Sequence, residues 1–175
     1  MRIALAVAAC LSLTAAAGAQ TTNPVSDAIR ANWQGARTNI RESAEQMPEA
    51  DYAFRPVDSV RTFGQMLAHI AGANYVFCSA AKGEAPPHEE DAFEKTATTK
   101  AAIVKALDES LAYCDTAFTA LTDTTAGESV AMPFGRPKAA RVGALAGNTG
   151  HLNEHYGNLV TYFRIKGMVP PSSKR

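Results

Sequence analysis

The sequence predicts an all-α protein folded as a four-helix bundle with long crossover connections. Four segments carry apolar residues at spacings of three and four, which is the helical period. Strand-like alternation is scarce, and no Asn-Gly or Asp-Gly turn joins two apolar runs. The predicted connections are about 14–16 residues long, which is more than antiparallel hairpins in bundles usually need. We therefore expect at least one connection to run the length of the bundle.

The N-terminus has the composition of a secretory signal peptide, predicted to span residues 1–19. Arg2 gives a positive start, an apolar run follows, and residues 17–19 (AGA) have the small-x-small form of a cleavage site. The apolar run is shorter than the roughly 20 residues that a membrane-spanning helix needs. Lipid anchoring at Cys10 is the alternative, but the apolar run continues past that cysteine. The remaining domain, residues 20–175, is therefore expected to be secreted or periplasmic.

The charge balance argues against several classes of partner. Without the predicted signal peptide the chain has 16 basic residues, because Arg2 is lost from 17, against 17 acidic ones. A net charge near −1 does not favour binding to nucleic acid or to an anionic membrane surface. No later apolar stretch is long enough to span a membrane, so no membrane partner is expected after signal removal. The expected ligand is a small molecule, and a homodimer is compatible with the composition.

The first two helices are predicted at residues 24–47 and 62–82. The first ends before Pro48, and the second begins with TFGQ, in which Thr62 and Gln65 form a capping box. Gly83 is the expected stop of the second helix. The two apolar stripes comprise Ile29, Trp33, Ala36, Ile40 and Ala44 in the first helix and Phe63, Leu67, Ile70 and Phe77 in the second.

The third and fourth helices are predicted at residues 98–121 and 138–166. The third has the most regular amphipathic pattern in the chain. The fourth follows Pro137 and ends at Gly167, with further prolines beyond it as stop signals. Their core residues are Ile103, Leu107, Leu111, Cys114, Phe118 and Leu121 in the third helix and Leu145, Leu152, Leu159 and Phe163 in the fourth.

The fourth predicted helix contains HLNEHYG, in which His151 and His155 are four residues apart. Residues at this spacing lie on one helix face with Cβ atoms about 5–6 Å apart, so two imidazoles can bind one ion. Two histidines on a solvated face are the alternative. The pattern H-x-x-E-H would instead make Glu154 the general base of a zinc peptidase. Such enzymes take a further acidic ligand from downstream, and no acidic residue follows His155.

A third metal ligand therefore has to come from upstream, where His69 and His88 are the remaining histidines. His69 lies in the middle of the second predicted helix, beside its apolar stripe and among small residues that leave room for an ion. His88 lies in the connection PPHEEDAF, where solvent exposure is expected. A single histidine in the position of His69 is more often a core residue, but its placement opposite an H-x-x-x-H pair favours a ligand.

Two segments resemble the signature regions of the DinB-like superfamily: FRPVDSVRTFGQMLAHIAGANY (residues 54–75) and GHLNEHYGNLVTYFRIKGMVPPSS (residues 150–173). This superfamily of four-helix-bundle metalloproteins is related to damage-inducible DinB and to bacterial thiol-dependent S-transferases. The resemblance covers the whole predicted domain in helix order and spacing. It implies a divalent metal ion, zinc or nickel, bound by His69, His151 and His155, with open positions for water or a substrate thiolate.

The resemblance also implies that the second and third long helices are parallel. Cys78 and Cys114 each lie about 16 residues into their helix, so in parallel helices they would lie at the same height along the bundle. A disulfide between them and two separate buried thiols are the two alternatives. Around the metal we expect Asn74, Glu154 and Tyr156 to orient an imidazole or line a pocket.

The sequence leaves two functions open. The first is an exported metal-dependent enzyme, a transferase or hydrolase that acts on a small molecule through the three-histidine site. The alternative is a non-catalytic exported bundle that binds a metal ion or a ligand. Cytoplasmic relatives use low-molecular-weight thiols that an exported protein does not meet, so the resemblance does not identify the substrate. DNA binding, which the superfamily name suggests, has no basic patch to support it.

Overall fold

The computed structural model describes residues 22–174, most of which belong to four long helices. In chain order the elements are α1 (Pro24–Gln46), α2 (Phe63–Lys82), α3 (Ala92–Thr96), α4 (Lys100–Ala120), α5 (Asp123–Ala126), β1 (Ser129–Val130), β2 (Ala139–Ala140) and α6 (Arg141–Ile165). Short 3₁₀ turns occupy Glu49–Asp51 and Pro171–Ser173. The predicted helical bundle is confirmed. The predicted signal peptide and its cleavage site lie outside the described residues.

The start of α2 is held by the capping box that the sequence predicts. The Thr62 hydroxyl accepts a hydrogen bond from the Gln65 amide at 3.2 Å, and the Gln65 side chain accepts one from the Thr62 amide at 2.9 Å. At the other end Gly83 adopts φ 76°, a left-handed conformation that glycine tolerates and that ends the helix. These two signals fix the register of α2, and hence the direction in which each of its side chains points.

Helices α2 and α4 pack in parallel. Near their N-terminal ends Gly64 lies against the side chain of Ile103, and halfway along them the Asn74 side chain donates to the Ser110 hydroxyl at 3.0 Å. Near their C-terminal ends a disulfide joins Cys78 to Cys114, with Cα atoms 5.3 Å apart. That separation is within the range of ordinary disulfides. Both cysteines are fully buried, so the covalent link lies inside the core.

The other two long helices run opposite to this pair. Phe163, near the end of α6, packs edge-to-face on Phe63 at the start of α2, which shows that α6 and α2 are antiparallel. On the opposite side Trp33 of α1 stacks on Phe118 of α4 with ring centroids 4.4 Å apart and donates to Asp115 at 2.8 Å. Trp33 is completely buried and belongs to the core.

The parallel arrangement of α2 and α4 requires the chain to return along the whole bundle between them. Residues 83–99, here called the crossover segment, make this return and include α3. The backbone of this segment lies directly on α2 at Gly72, where an added Cβ would come within 1.8 Å of the Glu90 carbonyl oxygen. The predicted long crossover is therefore present, and a glycine in α2 allows its close approach.

Among the helices of residues 22–174, none combines the length and the apolar character that a bilayer crossing requires.

The disulfide generates a stability prediction. Replacing both Cys78 and Cys114 by serine should lower the free energy of unfolding by about 2–4 kcal/mol, because the crosslink restricts the unfolded chain. Urea unfolding of the metal-free protein without reductant measures this change. Reduction of the unaltered protein should lower its unfolding midpoint as well, whereas the double variant should be insensitive to reductant. An unfolding midpoint unaffected by reductant in the unaltered protein would contradict the prediction.

Candidate metal centre

Three histidines from two antiparallel helices meet in the middle of the bundle. His69 comes from α2, and His151 and His155 come from successive turns of α6. The His151 Nε2 atom lies 3.2 Å from Nε2 of His69 and 3.0 Å from Nε2 of His155. One nitrogen from each ring lies within 4.8 Å of the other two. The structure thus brings together the three residues that the sequence singled out as metal ligands.

The spacing of these nitrogens fits a single ion. Zinc–imidazole bonds of about 2.0–2.1 Å place adjacent ligand nitrogens about 2.8–3.4 Å apart across octahedral and tetrahedral coordination. The two Nε2 distances of 3.0 and 3.2 Å fall in this interval. Without an ion, three neutral imidazoles have too few N–H donors to satisfy every nitrogen in such a cluster. The donor set therefore fits a divalent metal ion.

The outward-facing nitrogen of His69 is bound by a carboxylate. Its Nδ1 lies 3.1 Å from Oε1 of Glu94, a residue of α3 in the crossover segment. The other oxygen of Glu94 accepts a hydrogen bond from Arg61 at 2.9 Å. A carboxylate at Nδ1 keeps the proton there and leaves the Nε2 lone pair free for an ion. His69 is consequently held in the tautomer that metal binding requires.

The outer nitrogens of His151 and His155 have weaker hydrogen-bond partners than that of His69, or none among the described residues. Nδ1 of His155 lies 3.4 Å from the side-chain nitrogen of Asn158, one turn further along α6. Nδ1 of His151 is buried and finds no hydrogen-bond partner among residues 22–174. The best-anchored imidazole of the cluster is therefore that of His69, whose support comes from the crossover segment.

The site keeps its histidines neutral. Burial, together with the neighbouring histidines, lowers the pKa of His151 to about 3 and that of His155 to about 4. Burial and the positive charge of Arg61 also lower the pKa of His69, while Glu94 and Glu90 oppose this change. Because an ion binds the unprotonated nitrogen, these shifts make the three rings available as ligands well below neutral pH.

A groove lies near the histidine cluster, although none of the three histidines lines it. It has a volume of about 610 Å³ and lies between α2, the crossover segment and the loop joining β1 to β2. Its lining includes Val76, Pro86, Glu90, Met132 and Phe134. Oε1 of Glu90 is 3.9 Å from Nε2 of His69, so one wall of the groove reaches the face of the cluster where the nitrogens converge.

On the opposite wall of the groove, Phe134 is connected to the cluster through Phe77. The Phe134 ring is half exposed and lies 6.0 Å from that of Phe77, which in turn lies 5.6 Å from the ring of His151. Phe134 has φ 61°, in the left-handed region that non-glycine residues seldom adopt. The Phe134 side chain therefore lies at the edge of the groove, separated from His151 by the ring of Phe77.

The residues expected to orient the imidazoles are placed elsewhere. Asn74 is fully buried against α4, where it bonds Ser110, and the Tyr156 hydroxyl accepts from the Ser172 amide at 2.8 Å. Glu154 is exposed on α6. One residue step rotates a helical position by about 100°, so Glu154 cannot share the face of His155. Apart from the histidines themselves, the hydrogen-bond partners that the described residues offer to the imidazoles are Glu94 and Asn158. A pocket-lining role for Asn74, Glu154 and Tyr156 stays a prediction.

Sequence reasoning missed Glu94 and Glu90 for a topological reason. Both lie in the charged connection between the second and third predicted helices, beside His88, which the structure leaves exposed. The connection was expected to cross the bundle, but nothing in its composition indicates which residues would face α2. The usable signal was Gly72 in α2, an apolar helix position without a side chain, which marks the point of closest backbone approach.

The family comparison agrees with this site. The profile of the DinB superfamily matches residues 32–159, which is most of the chain and includes all three histidines. The chain belongs to the DinB superfamily. No curated protein matches the sequence.

Solved DinB-like structures share the fold. A DinB-like protein from Bacillus cereus ATCC 10987 superposes with a TM-score of 0.69 at 17% identity, covering 83% of this chain and 95% of that one. A DinB-like protein from Bacillus subtilis gives 0.62 at 16% identity, with coverages of 81% and 94%. The mycothiol-dependent maleylpyruvate isomerase gives 0.63 at 15% identity, over 77% of this chain and 60% of that protein. At these identities the similarity establishes the fold.

The lowered pKa values of the histidines predict how stability depends on pH. The unfolded chain, with histidine pKa values near 6.5, takes up protons that the folded metal-free site refuses. The free energy of unfolding should therefore fall as the pH is lowered from about 6.5 toward 4, where the folded pKa of His155 is reached. Chemical unfolding at a series of pH values measures this slope.

The variant His151→Asn provides the comparison, because it removes a histidine whose pKa burial lowers to about 3. Its free energy of unfolding should fall less steeply over the same pH range. Titration of carboxylates affects both proteins equally, so the difference between the two slopes reports the histidine. Equal slopes for the two proteins would show that the cluster does not control the acid sensitivity.

Proposed function

We propose that this DinB-superfamily protein is an exported metal-dependent enzyme, a transferase or a hydrolase, that acts on a small molecule. His69, His151 and His155 hold the ion, which we propose to be zinc or nickel. The observation that carries the proposal is the convergence of three imidazole nitrogens near a groove of about 610 Å³, to which Glu90 connects the cluster. A structural metal site would instead be closed by a fourth protein ligand.

The chain's own groups have distinct roles in this proposal. An ion bound by three imidazoles supplies Lewis acidity at its open positions. His69 is held as a ligand by Glu94, and the burial of His69 and His155 limits the access of water to their side of the site. Glu90 brings a carboxylate to the open face, and Phe134 with Met132 offers apolar contact for a substrate in the groove. Groove volumes of this order suit small organic ligands.

The comparison with the mycothiol-dependent maleylpyruvate isomerase supports a small-molecule substrate. That protein has the same fold, and its name states both a low-molecular-weight cofactor and a small organic acid as substrate. Export is supported by the composition of residues 1–19 and by the buried disulfide between Cys78 and Cys114. Disulfides persist in oxidising compartments and are rare in the cytosol.

Elemental analysis tests the metal site. The mature chain purified without a histidine tag should contain about one divalent ion per molecule, and His69→Ala or His155→Ala should lose most of it, because two imidazoles bind far more weakly than three. His88→Ala is the matched control, since it removes an exposed histidine and should retain the ion. Full metal occupancy in His69→Ala would refute the assignment of the site.

A second measurement separates an open site from a closed one. We expect azide to change the visible absorption of the cobalt-substituted protein in a saturable manner, because the ion has positions that the protein does not fill. The non-catalytic alternative, in which protein groups complete the coordination, predicts an absorption spectrum that azide leaves unchanged. Loss of the azide response in His155→Ala, with retention in His88→Ala, would locate the effect at the cluster.

A further inference from the structure

We propose that the crossover segment is part of the metal centre, with Glu94 as the positioning residue of His69, so that ion binding and docking of the segment stabilise each other. This inference rests on the proposed metal site and adds to it a residue from outside the two helices that carry the ligands. It also adds a physical link between the ion and the groove.

Glu94 contacts the metal centre through a single well-defined interaction. Its Oε1 lies 3.1 Å from Nδ1 of His69, while Nε2 of the same ring faces His151 at 3.2 Å. The Glu94 side chain is only 18% exposed, so this contact is shielded from water. Carboxylate partners of ligand histidines fix the ring orientation and increase its basicity, and their loss typically weakens metal binding about 10- to 100-fold.

The backbone of the segment is held against the same helix one turn further on. At Gly72, three residues after His69, the Glu90 carbonyl oxygen occupies the position that a Cβ would take. This contact places the Glu90 carboxylate 3.9 Å from Nε2 of His69. Two carboxylates of the crossover segment therefore lie on opposite sides of one imidazole ring, and both depend on the segment being docked.

The charges around the cluster also favour coupling between ion binding and docking of the crossover segment. Three neutral imidazoles contribute no charge to balance a divalent cation, and Arg61 adds a positive charge close to the cluster. Glu94 pairs with Arg61, and Glu90 adds a second negative charge at the open face. Opposite charges in a poorly solvated site attract strongly, so a bound cation should hold the docked segment in place. By reciprocity, an undocked segment should weaken ion binding by the same factor.

The coupling has a functional consequence. Pro86 and Glu90 of the crossover segment form one wall of the groove, whereas Val76 of α2 forms its floor. A segment that docks when the ion binds would complete the groove only in the metal-loaded protein. A substrate pocket and a metal ion would then be present together, which prevents binding of substrate to a protein that lacks the ion.

The first test is the zinc affinity of Glu94 variants, measured by competition with a chromophoric chelator. Glu94→Ala should bind zinc about 10- to 100-fold more weakly than the unaltered protein. Glu94→Gln retains an acceptor for the His69 N–H but loses the charge, so its affinity should lie between the two. Lys105→Ala, which changes an exposed residue of α4 outside the crossover segment, should leave the affinity unchanged.

Nitrogen NMR of the His69 ring distinguishes positioning from a merely structural role. The metal-free protein and Glu94→Gln should both show the proton on Nδ1, whereas Glu94→Ala should show a mixture of tautomers. Arg61→Ala, which removes the other partner of Glu94, should keep the Nδ1 proton. An unchanged tautomer in Glu94→Ala would overturn the assignment of Glu94 as a positioning residue.

The second test measures docking. Zinc should slow amide hydrogen exchange in residues 84–97 of the unaltered protein and should do so much less in Glu94→Ala. Gly72→Ala should also weaken zinc binding, because its Cβ displaces the Glu90 backbone, whereas Gly35→Ala introduces a methyl group into open space and should not.

The outcomes separate this inference from the proposed function. If the unaltered protein binds no ion at the three histidines, the proposed function fails. If it binds zinc, but Glu94→Ala binds zinc equally well and zinc leaves the exchange of the crossover segment unchanged, only the coupling is wrong.

Discussion

The parallel packing of α2 on α4 is the constraint on which the rest of the structure depends. The disulfide between Cys78 and Cys114 and the hydrogen bond between Asn74 and Ser110 hold the two helices at a common level. Two sequential helices that run in the same direction cannot be joined by a short hairpin, so residues 83–99 must return along the bundle. That return carries acidic side chains past the centre of α2 and determines what surrounds His69.

In the histidine cluster, the surrounding chain favours the neutral form of the imidazoles, which is also the form that binds a cation. Burial lowers the pKa of all three rings, so the folded protein holds them neutral and bears little cost for their desolvation. The neutral state is also the ligand state, which means that the same burial that stabilises the fold prepares the site for a cation. The nearby carboxylates of Glu90 and Glu94, which come from the crossover segment, provide negative charge beside the neutral imidazoles.

Much of this arrangement could be predicted from local sequence signals. The capping box at Thr62 and Gln65 fixes the register of α2, and four-residue spacing places His151 and His155 on one face of α6. Such signals describe neighbours along one helix. Glu94 is 25 positions from His69, and its contact depends on how the crossover segment lies on α2. A hydrophobic period along one helix carries no information about that placement. Glu154 is the opposite case, because it is the sequence neighbour of a ligand but is exposed on another face of α6.

The bundle divides its tasks between two pairs of helices. The contact between α1 and α4 is built from the Trp33–Phe118 stack and from Asp115, which accepts from Trp33 and from Arg37, so it serves packing. The contact between α2 and α6 combines apolar packing, such as that of Phe63 on Phe163, with the three histidines. The disulfide links α2 to the α1–α4 half, and Asn148 of α6 lies 3.5 Å from both of its sulfur atoms. The crosslink thus joins the helix that carries His69 to the hydrophobic core that all four long helices share. The histidines therefore lie beside one continuous core that fixes the helices around them.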